Sequence, residues 1–235
     1  MSPQLSQRQK QLLYYVAEVQ IADLEPVGSQ KIKDRYDLDW SSATIRRELN
    51  ALLKENYLEQ PHTSSGRILS DRGWRFIISD LVNQILRKEE KDEPLAEKLV
   101  SYLEPKFCPN NLIDFIASKC RSLGLWYSFR DDIIFTSGLK YILKDEFLDD
   151  LNDWEAIGRD FDSLDKKLRA IKDKMDDRNI RIYLGKQNPL VSSPYFAFIG
   201  FKCEPLESII GILSPKMTDY KNHLKLFRTL MDEIY

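Results

Sequence analysis

The stretch Glu59 to Ile68, EQPHTSSGRI, constrains the fold more than any other part of the chain. Two short arms, YLEQ (57–60) and RIL (67–69), flank a tip of His, Thr, Ser, Ser and Gly, the make-up of an exposed hairpin turn. Directly before it, residues 41–56 (SSATIRRELNALLKEN) have a helical period that gathers Ile45, Leu49 and Leu52 on one side. Further back, residues 6–22 predict a helix with Ser6 as N-cap and a stripe of Leu12, Leu13, Val16 and Val19. Pro26 and Gly28 in DLEPVGS end it, Ser29 is suited to cap a short helix from Gln30 to Tyr36, and DLDW turns into the third. Three helices and a hairpin in about 70 residues is the order of a winged helix-turn-helix.

From Ser70 a further helix runs through WRFIISDLVNQIL into the charge run RKEEKDEP, residues 87–94, a solvated helix end or linker. Beyond it, LAEKLVSYL and NLIDFIASKCRSLG predict helices, LWYSF and DIIFT short strands, and DSLDKKLRAIKDKMDD a charged amphipathic helix. IRIYLG, YFAFIGFKC and SIIGIL predict further strands, and a closing helix, 218–235, carries Tyr220, Leu224, Phe227, Met231 and Ile234 on one stripe. The expected class is α+β with a small, mainly antiparallel sheet. The expected division is a DNA-binding domain over 1–75, a connecting helix and linker over 76–94, and a second α+β domain over 95–235.

Charge excludes a chain-wide nucleic-acid or membrane footprint. Residues 1–75 hold 11 Lys and Arg against 10 Asp and Glu, and the whole chain is at −2. Any attraction for phosphate must come from one local face. The three cysteines, Cys108, Cys120 and Cys203, lack metal-ligand spacing and read as buried free thiols. The two histidines, His62 and His223, have no ligand partners nearby in sequence, so neither a metal nor another cofactor is expected. No long apolar run or signal-like N-terminus occurs, which predicts a cytoplasmic protein without membrane contact. No catalytic constellation stands out: His223 reads as a packing histidine, and Trp126, Tyr127, Phe196 and Phe198 as core. A catalytic site is not expected.

The functional residues are expected on the third helix and the hairpin. Opposite Ile45, Leu49 and Leu52, helix 41–56 presents Ala43, Arg47, Asn50 and Lys54, with Arg46 on the flank and Ser41, Ser42 and Thr44 in the first turn. Arginine can bond guanine at two atoms, asparagine can do so to adenine, and alanine can sit against a thymine methyl. An ordinary solvated helix face would have the same composition, and the hairpin tips the choice. His62, Thr63, Ser64, Ser65, Gly66 and Arg67 offer hydroxyls, a pliant backbone and one cation, groups suited to phosphates or a narrow minor groove. Together they favour DNA binding.

EPVGS (25–29), SSATIR (41–46), YLEQPHTSSGRI (57–68) and SDRGWRF (70–76) resemble, in the same order and at similar spacing, the N-terminal domain of the HrcA heat-inducible transcription repressors. SGLKYILKDEF (137–147), RIYLGKQNP (181–189) and GILSPKMTDY (211–220) are similar, more weakly, to that family's GAF-like C-terminal domain. The resemblance implies a winged helix-turn-helix followed by a reduced GAF-like α+β domain. It implies a dimeric repressor of chaperone operons of the groE and dnaK type, bound to an inverted-repeat operator, with the GroEL chaperonin keeping it active. Ser41, Ser42, Ala43, Thr44, Ile45, Arg46 and Glu48 match the family's recognition helix, and His62, Thr63, Ser64, Gly66 and Arg67 its wing.

The chain departs from that pattern at several points. Arg47 stands where the family usually has asparagine, Asn50 where a small residue is usual, Ser65 for alanine and Leu69 for proline. Family members are also commonly longer, the extra length falling before residue 137, where part of the GAF-like domain and a dimerisation segment lie. Helix 218–235 and the helix from Ser70 to Arg87 are candidate dimer faces. Two other functions compete with the repressor: a GAF-like ligand-sensing regulator of other genes, and a winged-helix module that binds a protein.

Overall fold

The computed structural model describes residues 5–62, 66–87, 92–103, 107–143 and 151–235. The chain is a mixed α+β protein that divides into two units, residues 1–84 and 85–235.

In the first unit, α1 (Gln7–Asp23) starts at a capping box in which Ser6 and Gln9 satisfy each other's backbone N–H groups. It ends at Leu24 in the left-handed conformation, whose N–H bonds the Gln20 carbonyl. α2 (Ser29–Tyr36) begins one residue earlier than expected. Gly28 is its N-cap and no side chain caps it, so Ser29 is the first helical residue instead of the cap. α3 (Ser42–Lys54) is capped by Ser41, whose hydroxyl accepts from the Thr44 N–H at 3.1 Å. β1 (Leu58–Glu59) and β2 (Ile68–Leu69) pair antiparallel, Leu58 opposite Leu69, and α4 (Asp71–Arg87) follows. Leu12, Leu13, Val16, Val19, Ile32, Ile45, Leu49, Leu52 and Trp74 form the apolar core of this unit.

In the second unit, α5 (Glu93–Leu103) and α6 (Pro109–Cys120) precede β3 (Leu123–Ser128) and β4 (Ile133–Ser137). α7 (Leu151–Asp162) and α8 (Leu164–Lys172) follow, then β5 (Arg181–Leu184), β6 (Phe196–Cys203), β7 (Ser208–Pro215) and α9 (Tyr220–Ile234). The five strands pair antiparallel in the order β4-β3-β7-β6-β5. One sheet face, with Leu125, Tyr127, Phe196, Phe198, Ile209 and Leu213, packs with Ile157 of α7 and Leu164, Leu168 and Ile171 of α8. On the other face Phe201 meets Phe227 of α9 edge to face, their ring centres 6.1 Å apart. The charge-rich run expected as one helix over 162–177 is instead the end of α7 plus α8, separated at Ser163. Residues 88–91 of the run RKEEKDEP lie outside the described residues.

A buried ionic knot holds the α7–α8 side together. Asp160 accepts from Lys167 at 2.5 Å and from the Ser192 N–H and hydroxyl at 2.7 and 2.8 Å, while Lys167 also donates to the Leu190 carbonyl at 3.0 Å. Burial raises the Asp160 pKa, but Lys167 and Ser192 together outweigh it and hold the carboxyl below its ordinary value. Cys120 and Cys203 are buried free thiols, which burial pushes up to about 12 and about 11, and Cys108 is half-buried and free. Among the described residues no helix is long and apolar enough to cross a membrane.

Candidate nucleic-acid interface

The buried side of α3 fixes what its other side can do. Ile45, Leu49 and Leu52 have no exposed surface, so the opposite face must point away from the core. On it Ala43, Arg46, Arg47 and Asn50 are exposed, and Thr44 is half-buried. The Arg47 side chain is 79 % accessible, and its contact with Glu48 is long at 3.8 Å. Glu48 is turned instead to α1, where it accepts from Gln9 Nε2 at 3.2 Å. Arg46 makes no hydrogen bond or ion pair among the described residues. Two guanidinium groups are thus left in solvent on one short helix face, with small side chains beside them.

The first turn of α3 is held from two sides. Ser41 Oγ lies 2.9 Å from Thr44 Oγ1 as well as on the Thr44 N–H, so both hydroxyls are engaged in capping. Ser42 Oγ lies 3.3 Å from Ser29 Oγ at the start of α2. Arg8 of α1 stacks its guanidinium 4.7 Å from the centre of the Trp40 ring, which fixes the turn that enters the helix.

The hairpin is anchored more firmly than its sequence suggests. Arg67 exchanges two backbone hydrogen bonds with Val27, at 2.8 and 2.9 Å, so the loop between α1 and α2 adds a third, one-residue strand beside β2. Gln20, buried in α1, accepts from the Leu69 N–H at 3.0 Å. Gly66 lies so close to Pro26 and Val27 that a Cβ there would sit 2.6 Å from their backbone atoms. Arg67 is only 9 % exposed and its side chain donates from Nη2 to Asn50 Oδ1 of α3 at 2.5 Å. Burial, and then the neighbouring Arg46 cation, pull the Arg67 pKa below its ordinary value. Its Nε is buried without a partner among the described residues.

The expected site residues therefore fall into three groups. Ala43, Arg46, Arg47 and Asn50 share one exposed face, with Ser41, Ser42 and Thr44 at its N-terminal end. Arg67 and Gly66 lie inside the junction between hairpin and helix. His62 is exposed at the edge of the hairpin, and Thr63, Ser64 and Ser65 lie outside the described residues. Sequence reasoning missed Gln20 and Val27, two of the groups that anchor the hairpin; the EPVGS stretch was the available signal for the second. Among the described residues, no three of His, Cys, Asp and Glu gather as a metal site requires.

No family model matches the chain. A heat-inducible transcription repressor HrcA of Trichormus variabilis is 42 % identical over 104 residues, covering 44 % of this chain and 28 % of that protein. One from Brevibacillus brevis is 46 % identical over 85 residues, 36 % of this chain and 25 % of that protein. The matched stretch thus spans little more than a quarter of these relatives' own length. A crystal structure of a hypothetical protein superposes with a TM-score of 0.71 at 18 % identity, covering 98 % of this chain and 96 % of that one. That likeness is one of fold. Over roughly two-fifths of its length, the chain is similar in sequence to the HrcA heat-inducible transcription repressors.

Proposed function

We propose that the chain is a DNA-binding transcriptional repressor of chaperone operons, binding an inverted-repeat operator as a dimer. Residues 1–75 are its winged helix-turn-helix, with α3 as recognition helix and the 57–69 hairpin as wing. Residues 76–94 connect it to a reduced GAF-like domain over 95–235 that serves dimerisation and regulation. The protein works in the cytoplasm as a regulator without a catalytic site. GroEL is the partner proposed to keep it active.

The observation that carries this reading is the exposed face of α3. Arg46 and Arg47 stand in solvent beside Ala43, where a helix in the major groove needs cations and close-approaching small groups. Two features support it further: the hairpin beside that helix is braced by Val27 and Gln20, and the relatives above share 42 and 46 % identity. In this reading Arg46 and Arg47 meet phosphates and base edges, Ser41, Ser42 and Thr44 set the N-terminal turn, and His62 to Ser65 reach the backbone. Gly66 and Arg67 hold the wing in place.

The test is a titration of the full chain against a chaperone-operon inverted repeat and a scrambled duplex at two salt concentrations, with and without GroEL. Preferential binding to the repeat, weakening steeply with salt, is expected. Arg46→Ala and Arg47→Ala should each lower the slope of log affinity against log salt by about 2 for the dimer, one unit per copy, with the fold intact. Equal, weak binding to both duplexes under every condition would remove the repressor reading.

A further inference from the structure

We infer that Asn50 is a specificity-determining residue that offers DNA a hydrogen-bond donor alone, and so reads an acceptor on guanine or thymine instead of pairing with adenine. This rests on the DNA-binding reading of α3.

Arg67 sets the orientation of the Asn50 amide. A guanidinium has only donors, so the amide atom facing it at 2.5 Å must be the oxygen. Arg67 cannot turn away to release that oxygen. The residue is buried, and its backbone is bonded to Val27 in both directions. Gly66 before it is pressed against the backbone of Pro26 and Val27. The amide oxygen is therefore fixed toward the hairpin. Nδ2 is left with two N–H groups on an exposed residue of the helix face and no partner among the described residues.

Adenine is read by asparagine through two bonds at once, the amide oxygen accepting from the base's amino group and Nδ2 donating to N7. Here the oxygen already serves a cation. Its remaining lone pair could take the adenine amino group only by bringing more donor hydrogens against the guanidinium, with Arg46 close enough to add its own charge. N7 accepts on both purines, but guanine O6 and thymine O4 put an acceptor where adenine carries its amino donor, and the free Nδ2–H groups and the positive surroundings both favour the acceptor.

Selection from a duplex pool randomised across both half-sites tests this, using the full chain and its Asn50→Ala and Asn50→Asp variants. Thermal melts would show that each variant folds. Wild type should favour guanine or thymine over adenine by about tenfold at one position per half-site. Asn50→Ala should flatten that position to below about twofold and leave the others unchanged. Asn50→Asp keeps a partner for Arg67 but turns the outward group into an acceptor, so its preference should move to cytosine or adenine, whose amino groups donate. Adenine favoured by wild type at the Asn50-dependent position would overturn the inference. So would an Asn50→Ala profile identical to wild type, the result of a phosphate contact. A folded wild type that selects no sequence at all would fail the DNA reading itself, and the two failures are told apart by whether any other position is enriched.

Discussion

Gly66 has no room for a side chain. A Cβ at that position would stand 2.6 Å from the Pro26 carbonyl carbon and from the Val27 nitrogen and carbonyl carbon, all main-chain atoms that cannot swing aside. The Val27–Arg67 pair would have to open, and the Arg67 guanidinium would be drawn off Asn50. Gly66→Ala is therefore expected to cost about 1–3 kcal/mol by overpacking. It should show as a lowered thermal midpoint with the secondary structure retained below it. An unchanged midpoint would mean the loop at Pro26 can yield. This residue also marks a limit of sequence reading. A glycine and an arginine at a hairpin tip suggest a pliant, cationic contact for phosphate, whereas their positions are set by a strand about forty residues away. The N-cap role of Ser6 was legible because capping is decided within four residues. Contacts such as Arg67 to Asn50 carry no local signal, since neither helical nor strand periodicity relates two residues in different elements.

Helix α9 docks through a histidine that must stay neutral. His223 is 3 % exposed, and its Nε2 lies 3.2 Å from the Cys120 carbonyl at the end of α6. A carbonyl can only accept, so Nε2 carries the hydrogen and Nδ1 holds a lone pair, buried without a partner among the described residues. Protonating Nδ1 would bury an unpaired N–H and a charge. Burial accordingly lowers the pKa from 6.5 to about 4, partly opposed by Asp219 and the Cys120 carbonyl. A folded-state value below the unfolded one means that the native state binds fewer protons in that range. The contribution is whole above pH 6.5 and is lost as pH falls from 6.5 toward 4, by about 3 kcal/mol at most. Chemical denaturation of wild type and His223→Gln at pH 7 and pH 5 would measure it. The glutamine amide can still donate to Cys120 but does not titrate, so its stability should change less between the two pH values than that of wild type. Equal slopes in the two proteins would exclude His223 as the cause. The packing role of this residue was readable from its place beside the α9 stripe, of which Tyr220, Leu224 and Phe227 are buried. α7 was not read: Leu151, Trp154, Ile157 and Phe161 make a short stripe, broken by Gly158 and surrounded by acids. Strand order was equally hidden, because β3 pairs with β7 across some eighty residues of sequence and nothing in either strand names its neighbour.

At the scale of the whole molecule, exposed cations such as Arg8, Arg75, Arg121 and Lys221 are spread over a chain that is slightly acidic, at −2, and the proposed interface concentrates only a few of them. A single such face, with Arg46 in solvent and Arg47 held only by its long 3.8 Å contact with Glu48, can make few phosphate contacts. Each adds about one unit to the salt slope, so one copy alone would bind weakly at cellular ionic strength. Two copies on an inverted repeat double the contacts and join their free energies, which is why the proposed function requires a dimer and why the spacing of half-sites becomes a test of it. Recognition helices related by a two-fold axis meet the same side of the duplex only when half-site centres are about 34–36 Å apart, or a multiple of that distance. Inserting about 5 base pairs between the half-sites turns one of them to the far side of the duplex, and inserting about 10 returns it. Binding to a repeat lengthened by half a turn should fall to the affinity of a single half-site, and a full-turn insertion should restore at least part of the loss. Gel-shift titrations of the three duplexes, with protein stoichiometry read from the mass of each complex, would decide it. Affinity that is indifferent to the half-turn insertion, with one chain per duplex, would mean that each copy reads its half-site alone and that the second unit does not join two chains on DNA.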